Sequence, residues 1–395
     1  MEELKTFELD KTNVLGKGSF GIVYKGKHNS NNKTEDVAFK KIPQDILNDK
    51  IKLQSLVNEI SISGTINQDD NKNGDEGSAS SENIVRFIDI ADIDNEKYLV
   101  YEFCNGGDLK RYLRYFKKFK EKMIQNIMTQ IIKGLQVLHD KKIVHHDLKP
   151  ENILVQLCPN EEKPEDDYYN KFKAIMEITD PKNKYLNRDN KLLKNDEILE
   201  ILAQSKMKLS DFGLSKCKDE FEYNKEEVSG SPLYIDPILF KAESDKATID
   251  DEKVDIWALG IIAYELFFYD LPFQPFPPSI ERLKKAFEQG EYIIDFKKCE
   301  DGKISKQFLS FLNCCLQLDR NIRPLTEELL EHEFIVRDPE YFTYMTIDNY
   351  KDAKYPKGDY LKTEGIITMN INDNRNINAY FDWVPDNVDQ NKKNL

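Results

Sequence analysis

Between two apolar pairs, Ile143-Val144 and Ile153-Leu154, the chain places Asp147, Lys149 and Asn152. An acid, a lysine and an amide at these offsets form one chemical set. Asp147 can accept the proton of an attacking hydroxyl, Lys149 can neutralise a phosphate in transit, and Asn152 offers a divalent cation a hard oxygen. The plainer reading is a loop between buried strands that happens to carry polar side chains. Near the start of the chain stands Leu15-Gly16-Lys17-Gly18-Ser19-Phe20-Gly21-Ile22-Val23. Its glycines let backbone come close to phosphate oxygens and turn tightly. A hairpin with flexible glycines would look the same.

Two features separate this glycine stretch from the dinucleotide-binding type. Val23 follows two residues after Gly21, and the chain then enters another strand, Asp36-Val37-Ala38-Phe39-Lys40, rather than a helix. With His145-His146-Asp147-Leu148-Lys149-Pro150-Glu151-Asn152 and Asp211-Phe212-Gly213, it resembles the eukaryotic protein kinases of serine/threonine type. The resemblance runs from about residue 7 to residue 336. The phrases Tyr101 to Leu109 and Gly230 to Tyr234 are most similar to the autophagy-initiating serine/threonine kinases.

That resemblance implies an α+β, bilobal fold with a small β-rich lobe and a larger helical one. ATP and Mg²⁺ would settle in a crevice between the lobes. Lys40 would bind the α and β phosphates and pair with Glu59 on a helix. Leu15, Gly16, Gly18 and Gly21 would cover the nucleotide, and Val23, Ala38 and Leu154 would sandwich the base. Tyr101 would line the back of the adenine pocket, the backbone of Glu102 and Cys104 would bond the adenine, and Asp108 would lie near the ribose. Asn152 and Asp211 would hold Mg²⁺. Asp147 would take the proton of a protein hydroxyl while Lys149 stabilises the moving charge. Ser231 would bridge Asp147 and Lys149, a pairing that favours serine and threonine over tyrosine.

Those residues need a frame. Gln44 to Ile66 reads as a helix, with Ile46, Leu53, Leu56, Val57 and Ile60 near helical spacing. Residues 67–82 are polar, rich in Gly and Ser, and without period, which predicts a flexible insertion. Glu121 to Lys141 is a long helix with Ile124, Ile127, Met128, Ile131, Ile132, Leu135 and Leu138 on one face. A second insertion, 156–206, separates Asn152 from Asp211 and is read as a surface excursion or a docking element. It carries two weakly amphipathic stretches, around Phe172, Ile175, Met176 and Ile178, and around Leu192, Leu193, Ile198, Leu199 and Leu202. Asp255 opens the most apolar helix, and by the resemblance holds the backbone of the catalytic loop. Phe308 to Leu318 and Glu327 to Phe334 give two further helices. The resulting division is 1–103, 104–336 and a C-terminal extension, 337–395, whose Tyr380-Phe381-Asp382-Trp383 cluster asks for a surface to bury against.

Three positions depart from the family. His146 replaces an arginine that grips a loop phosphate, and histidine is mostly neutral near pH 7 and has no bidentate fork. Residues 214–229 already carry Asp219, Glu220, Glu222, Glu226 and Glu227. Activity without phosphorylation of Ser215, Tyr223 or Ser229 is therefore expected. Ile238 replaces a buried glutamate, so the ion pair to Arg323 is absent and Arg323 needs another partner. Ser63, one turn after Glu59, is too small to stack on Phe212, which makes the coupling of that helix thin. These departures support a rival reading, a pseudokinase or scaffold acting through its insertions and tail.

The 395 residues are 39% hydrophobic, enough for a sizeable core, and carry a net charge of −14. That charge argues against nonspecific nucleic-acid binding. Six cysteines form no C-x-x-C pair, which fits free thiols in a reducing compartment. Met1-Glu2-Glu3-Leu4-Lys5 has no apolar run, and the longest apolar run, Ile256 to Phe268, is too short to span a bilayer. A cytoplasmic enzyme acting on protein substrates is expected, with a further protein partner at 156–206 or 337–395.

Overall fold

The computed structural model describes residues 6–18, 21–30, 33–70, 81–158, 171, 174–177, 195–217, 231–237, 252–274, 285, 293–294, 303–317, 319–346, 362–363 and 366–367. Phe172, Ile178, Leu192, Leu193, Tyr223, Ser229, Ile238 and the Tyr380–Trp383 cluster lie outside them. In chain order the main elements are β1 (Thr6–Gly18), β2 (Gly21–Ser30), β3 (Lys33–Lys41), α1 (Lys50–Asp70), β4 (Phe87–Ile93), β5 (Glu96–Glu102), α2 (Leu109–Phe116), α3 (Glu121–Asp140), β6 (Ile143–Val144), β7 (Ile153–Gln156), α4 (Asn195–Gln204), β8 (Lys206–Leu209), β9 (Lys216–Cys217), α5 (Lys253–Phe268) and α6 (Lys306–Cys315). The chain divides into two compact units, residues 1–108 with 152–215, and residues 109–151 with 216–395. An antiparallel sheet in the first and helices in the second give the expected α+β class.

In the first unit the strands run β1-β2-β3-β5-β4, all antiparallel. Side chains alternate across a strand, so Val37 and Phe39 enter a core with Tyr98, Val100 and Ala91. Val37, Phe39 and Val100 each contribute about 1.5–3 kcal/mol by leaving water. Ala38, Lys40 and Tyr101 fall on the other face. Gly21 sits at φ +130°, and a Cβ there would meet the Lys41 carbonyl oxygen at 2.6 Å, so only glycine closes this hairpin.

Helix α1 begins later and ends later than its periodicity indicates. Ile46–Asn48 form a separate 3₁₀ turn after Pro43. Asp49 then starts the helix, its side chain accepting the Lys52 N–H at 3.1 Å. At the far end α1 continues to Asp70, so residues 67–70 are helical rather than part of a flexible insertion; no glycine or proline interrupts them before Gly74.

Residues 152–215, expected with the helices, group with the sheet. The reason is backbone pairing. The Gly106 N–H donates to the Val155 carbonyl and the Val155 N–H to the Gly107 carbonyl, both at 2.7 Å, while Val85 N–H donates to Leu209 at 2.9 Å. Within the span 156–206, the described residues are partly buried. Ile175, Ile198 and Leu202 are fully buried, and β7 and β8 extend their pairing to Gln156 and Lys206. Met176, Leu199 and Ile201 are half-buried.

In the second unit the seven apolar residues expected on one face of α3 are all buried. Along α5 nearly every side chain is buried, as an apolar run requires. Ser305 caps α6, its hydroxyl accepting the Phe308 N–H at 3.0 Å. The single helix expected over 327–334 is two short ones, Thr326–Leu330 and Glu333–Val336. His332 breaks the run because its ring accepts the Phe334 N–H at 3.1 Å and caps the second. Among the described residues no helix is long and apolar enough to cross a membrane.

Candidate active site

The first unit assembles the residues expected at a nucleotide. Strand register places Lys40 opposite Val23 on one side and Leu99 on the other, with Ala38 opposite Tyr101. Lys40 and Tyr101 therefore share a face and both reach Glu59 of α1. The Lys40 ammonium donates to both Glu59 oxygens, at 2.6 and 2.8 Å, and to Asp211 Oδ1 at 3.0 Å. Burial works against that ammonium, but Glu59 and Asp211 outweigh it and its pKa lies above the ordinary 10.5. The Tyr101 hydroxyl donates to Glu59 Oε1 at 2.8 Å, a bond 42 residues apart in sequence that no local pattern announces.

Helix α1 is not thinly coupled to Asp211-Phe212-Gly213, as Ser63 suggests it should be. Polar contacts do the coupling: Ser55 Oγ donates to the Gly213 carbonyl at 2.5 Å and Asn58 Nδ2 to the Ser215 carbonyl at 3.5 Å. Ser215, an expected loop acceptor, is fully buried.

Asn152 and Asp211 stand just beyond the paired ends of β7 and β8, where Ile153 faces Leu209. Ser210 joins them: its N–H and its hydroxyl both donate to the Asn152 carbonyl at 2.9 Å. Asp211 takes a left-handed conformation, φ 66°. One carboxylate and one amide oxygen form a small hard donor set. That fits Mg²⁺, which keeps water and phosphate oxygens for its other positions.

Leu15, Gly16 and Gly18 lie along β1, with Gly16 opposite Val23 and Gly18 opposite Gly21. Asp108 and Leu154 are bridge partners. The Glu102 N–H donates to the Arg86 carbonyl at 3.0 Å, so any bond from Glu102 to a purine comes from its carbonyl oxygen. Its carboxylate takes the buried Lys208 ammonium at 2.8 Å. Cys104 is buried, and burial, then the Glu102 charge, push its thiol up to about 12.

The second unit holds the acid. Asp147 is buried; its Oδ2 accepts from Lys149 at 2.6 Å and its Oδ1 from the Ser231 N–H at 3.0 Å. Lys149 also donates to Ser231 Oγ at 2.8 Å, which closes the three residues into a ring. Tyr234 anchors the segment that carries Ser231, donating to Glu265 at 2.7 Å, and Lys110 reaches the same carboxylate at 2.5 Å. Neither Glu265 nor Lys110 was expected at the site from the sequence.

Asp255 fixes the backbone next to the acid. It accepts the His145 N–H at 2.8 Å, the His146 N–H at 3.0 Å, and the His139 ring at 3.0 Å. His146 takes φ +63°, an uncommon conformation for a residue with a side chain, held by that carboxylate. Burial pushes its imidazole down to about 4. Arg323 keeps a buried ion pair after all: its guanidinium donates to both oxygens of Asp236, two residues before the position expected to supply the charge.

The two lowered histidines set an acid limit. Burial holds His332 down to about 3, against 6.5 when unfolded. Below pH 6.5 the unfolded chain binds protons that the folded chain refuses, so stability is full above 6.5 and falls as pH drops towards 4. Each histidine is expected to remove on the order of 3 kcal/mol across that window. Urea midpoints measured against pH should fall steeply for the wild type and less steeply for His332→Asn.

A family model described as protein tyrosine and serine/threonine kinase matches residues 9–332. The chain belongs to the protein kinase family. Serine/threonine-protein kinase ULK1 of Homo sapiens is 27% identical to this kinase over 339 residues, covering 86% of this chain and 26% of that protein. Serine/threonine-protein kinase ATG1b of Arabidopsis thaliana is 29% identical over 338 residues, covering 85% and 38%. Serine/threonine-protein kinase unc-51 of Caenorhabditis elegans is 29% identical over 289 residues, covering 73% and 27%. The kinase thus spans well under half the length of these relatives.

Proposed function

We propose that this kinase is an active serine/threonine enzyme that transfers the γ-phosphoryl group of ATP to hydroxyls of protein substrates. The observation that carries this reading is the closed Asp147–Lys149–Ser231 ring in the second unit. Asp147 orients the acceptor hydroxyl and takes its proton, and Lys149 offsets the charge on the moving phosphoryl group. Lys40, held by Glu59, fixes the nucleotide phosphates. Bound Mg²⁺ would neutralise phosphate charge, and Asn152 and Asp211 would hold it.

His146 is neutral at physiological pH, so the enzyme works without a phosphate on its loop. The free thiols of the described cysteines support a cytoplasmic setting, and the net acidic charge disfavours nucleic acid as a partner. A protein partner is proposed at 156–206 or 337–395. A peptide library with Mg-ATP tests the function. Serine and threonine peptides should be phosphorylated at least tenfold faster than tyrosine peptides, and phosphatase treatment of the enzyme should leave the rate unchanged. Nucleotide binding without turnover would reject the enzymatic reading.

A further inference from the structure

A helix held to a sheet normally turns an apolar stripe inward. Helix α1 buries Ile62 and Ile66 but also turns Ser55, Glu59 and Ser63 inward; these three are spaced by four residues on one face and are 7%, 4% and 3% exposed. A polar stripe gains little from leaving water and must be held by directed bonds. Ser55 has one, to Gly213. Glu59 has those from Lys40 and one more, from Tyr101.

Tyr101 is built to give that bond. Its ring is wedged on the sheet face against Phe87, edge to face at 5.5 Å between centroids, and its backbone is paired on both sides, with Ala38 and with Phe87. A tyrosine has few rotatable bonds, so a fixed ring presents its hydroxyl at a fixed point. That point is Glu59 Oε1, the oxygen that also takes the 2.6 Å bond from Lys40. The hydroxyl stays protonated, since burial first and then the Glu59 charge raise its pKa well above 10.0.

We propose that Tyr101 is a positioning residue for phosphoryl transfer: its hydroxyl latches Glu59 so that the carboxylate stays on Lys40. This extends the kinase reading above and rests on it. The latch is supplied by the chain itself and makes the inward placement of α1 a resident property of the sheet face. Without the hydroxyl, Glu59 keeps only a flexible lysine, and α1 loses one of its few directed ties.

Tyr101→Phe keeps the ring and removes the oxygen. In the full-length chain it should lower kcat/KM for ATP about tenfold, with the KM for the peptide acceptor unchanged. If the hydroxyl acts through Glu59, adding Tyr101→Phe to Glu59→Gln should cost nothing further. Amide hydrogen exchange across α1 should quicken about tenfold while the β3 and β5 amides hold. Activity of Tyr101→Phe within twofold of wild type, or losses that multiply in the double variant, would overturn the latch. So would a collapse of the melting temperature, which would show a general structural role. The exchange measurement needs no turnover: a wild-type chain that fails to phosphorylate any peptide sinks the enzymatic reading, while unchanged exchange in Tyr101→Phe sinks the latch.

Discussion

Asp147→Asn should lower the rate of phosphoryl transfer by about 10²–10⁴, the span general-base catalysis supplies. The variant retains one acceptor oxygen but turns an amide towards donors that now bond a carboxylate. Asp147 is held from both sides, by Lys149 at 2.6 Å and by the Ser231 N–H at 3.0 Å. Asparagine can accept only one of these. The other donor meets an N–H group, so Lys149 loses its fixed place along with the base. The nucleotide-side contacts of Lys40, Glu59 and Asp211 belong to the other unit and include no atom of residue 147. Mg-ADP affinity measured by calorimetry should therefore change less than twofold while peptide phosphorylation collapses. Wild-type turnover in the variant would remove Asp147 from the chemistry.

Asp236→Asn should lower the unfolding free energy by about 3–5 kcal/mol, the usual result of removing one member of a buried ion pair. Arg323 is 1% exposed. Its remaining partners are uncharged: the Gln317 carbonyl at 2.6 Å, the Lys253 carbonyl at 2.9 Å, and the Trp257 ring at 5.0 Å. The two carbonyls accept from Nε and Nη1, but no charge among these partners balances the guanidinium. The double change Asp236→Leu with Arg323→Met removes both charges and should recover most of the loss. Urea unfolding of the three proteins decides it. Equal stability of Asp236→Asn and wild type would mean that the pair is not formed in solution.

That pair marks where sequence reading stops. The offsets within 143–155, the glycine stretch and Asp211-Phe212-Gly213 were legible because each group of residues lies on one short segment whose backbone fixes the spacing. Glu59 was legible only through a family spacing, and the structure brings it onto Lys40 at 2.6 Å. Ile238 announced a missing carboxylate, but which acid replaces it depends on the path of 231–237, which no local pattern encodes. The Tyr101 bond was hidden for the same reason: the resemblance put its ring beside the adenine, and nothing local pointed its hydroxyl at Glu59. The packing of 156–206 was hidden because Ile175, Ile198 and Leu202 sit in short, weakly periodic stretches. Their burial comes from a tertiary surface rather than from their own amphipathicity.

Cys104 carries a practical consequence. It is a buried thiol just beyond the end of β5. With the thiol pushed up to about 12, the thiolate fraction at neutral pH is on the order of one in 10⁵, against a few per cent for an ordinary cysteine. Electrophilic reagents should therefore modify Cys104 far more slowly than an exposed cysteine.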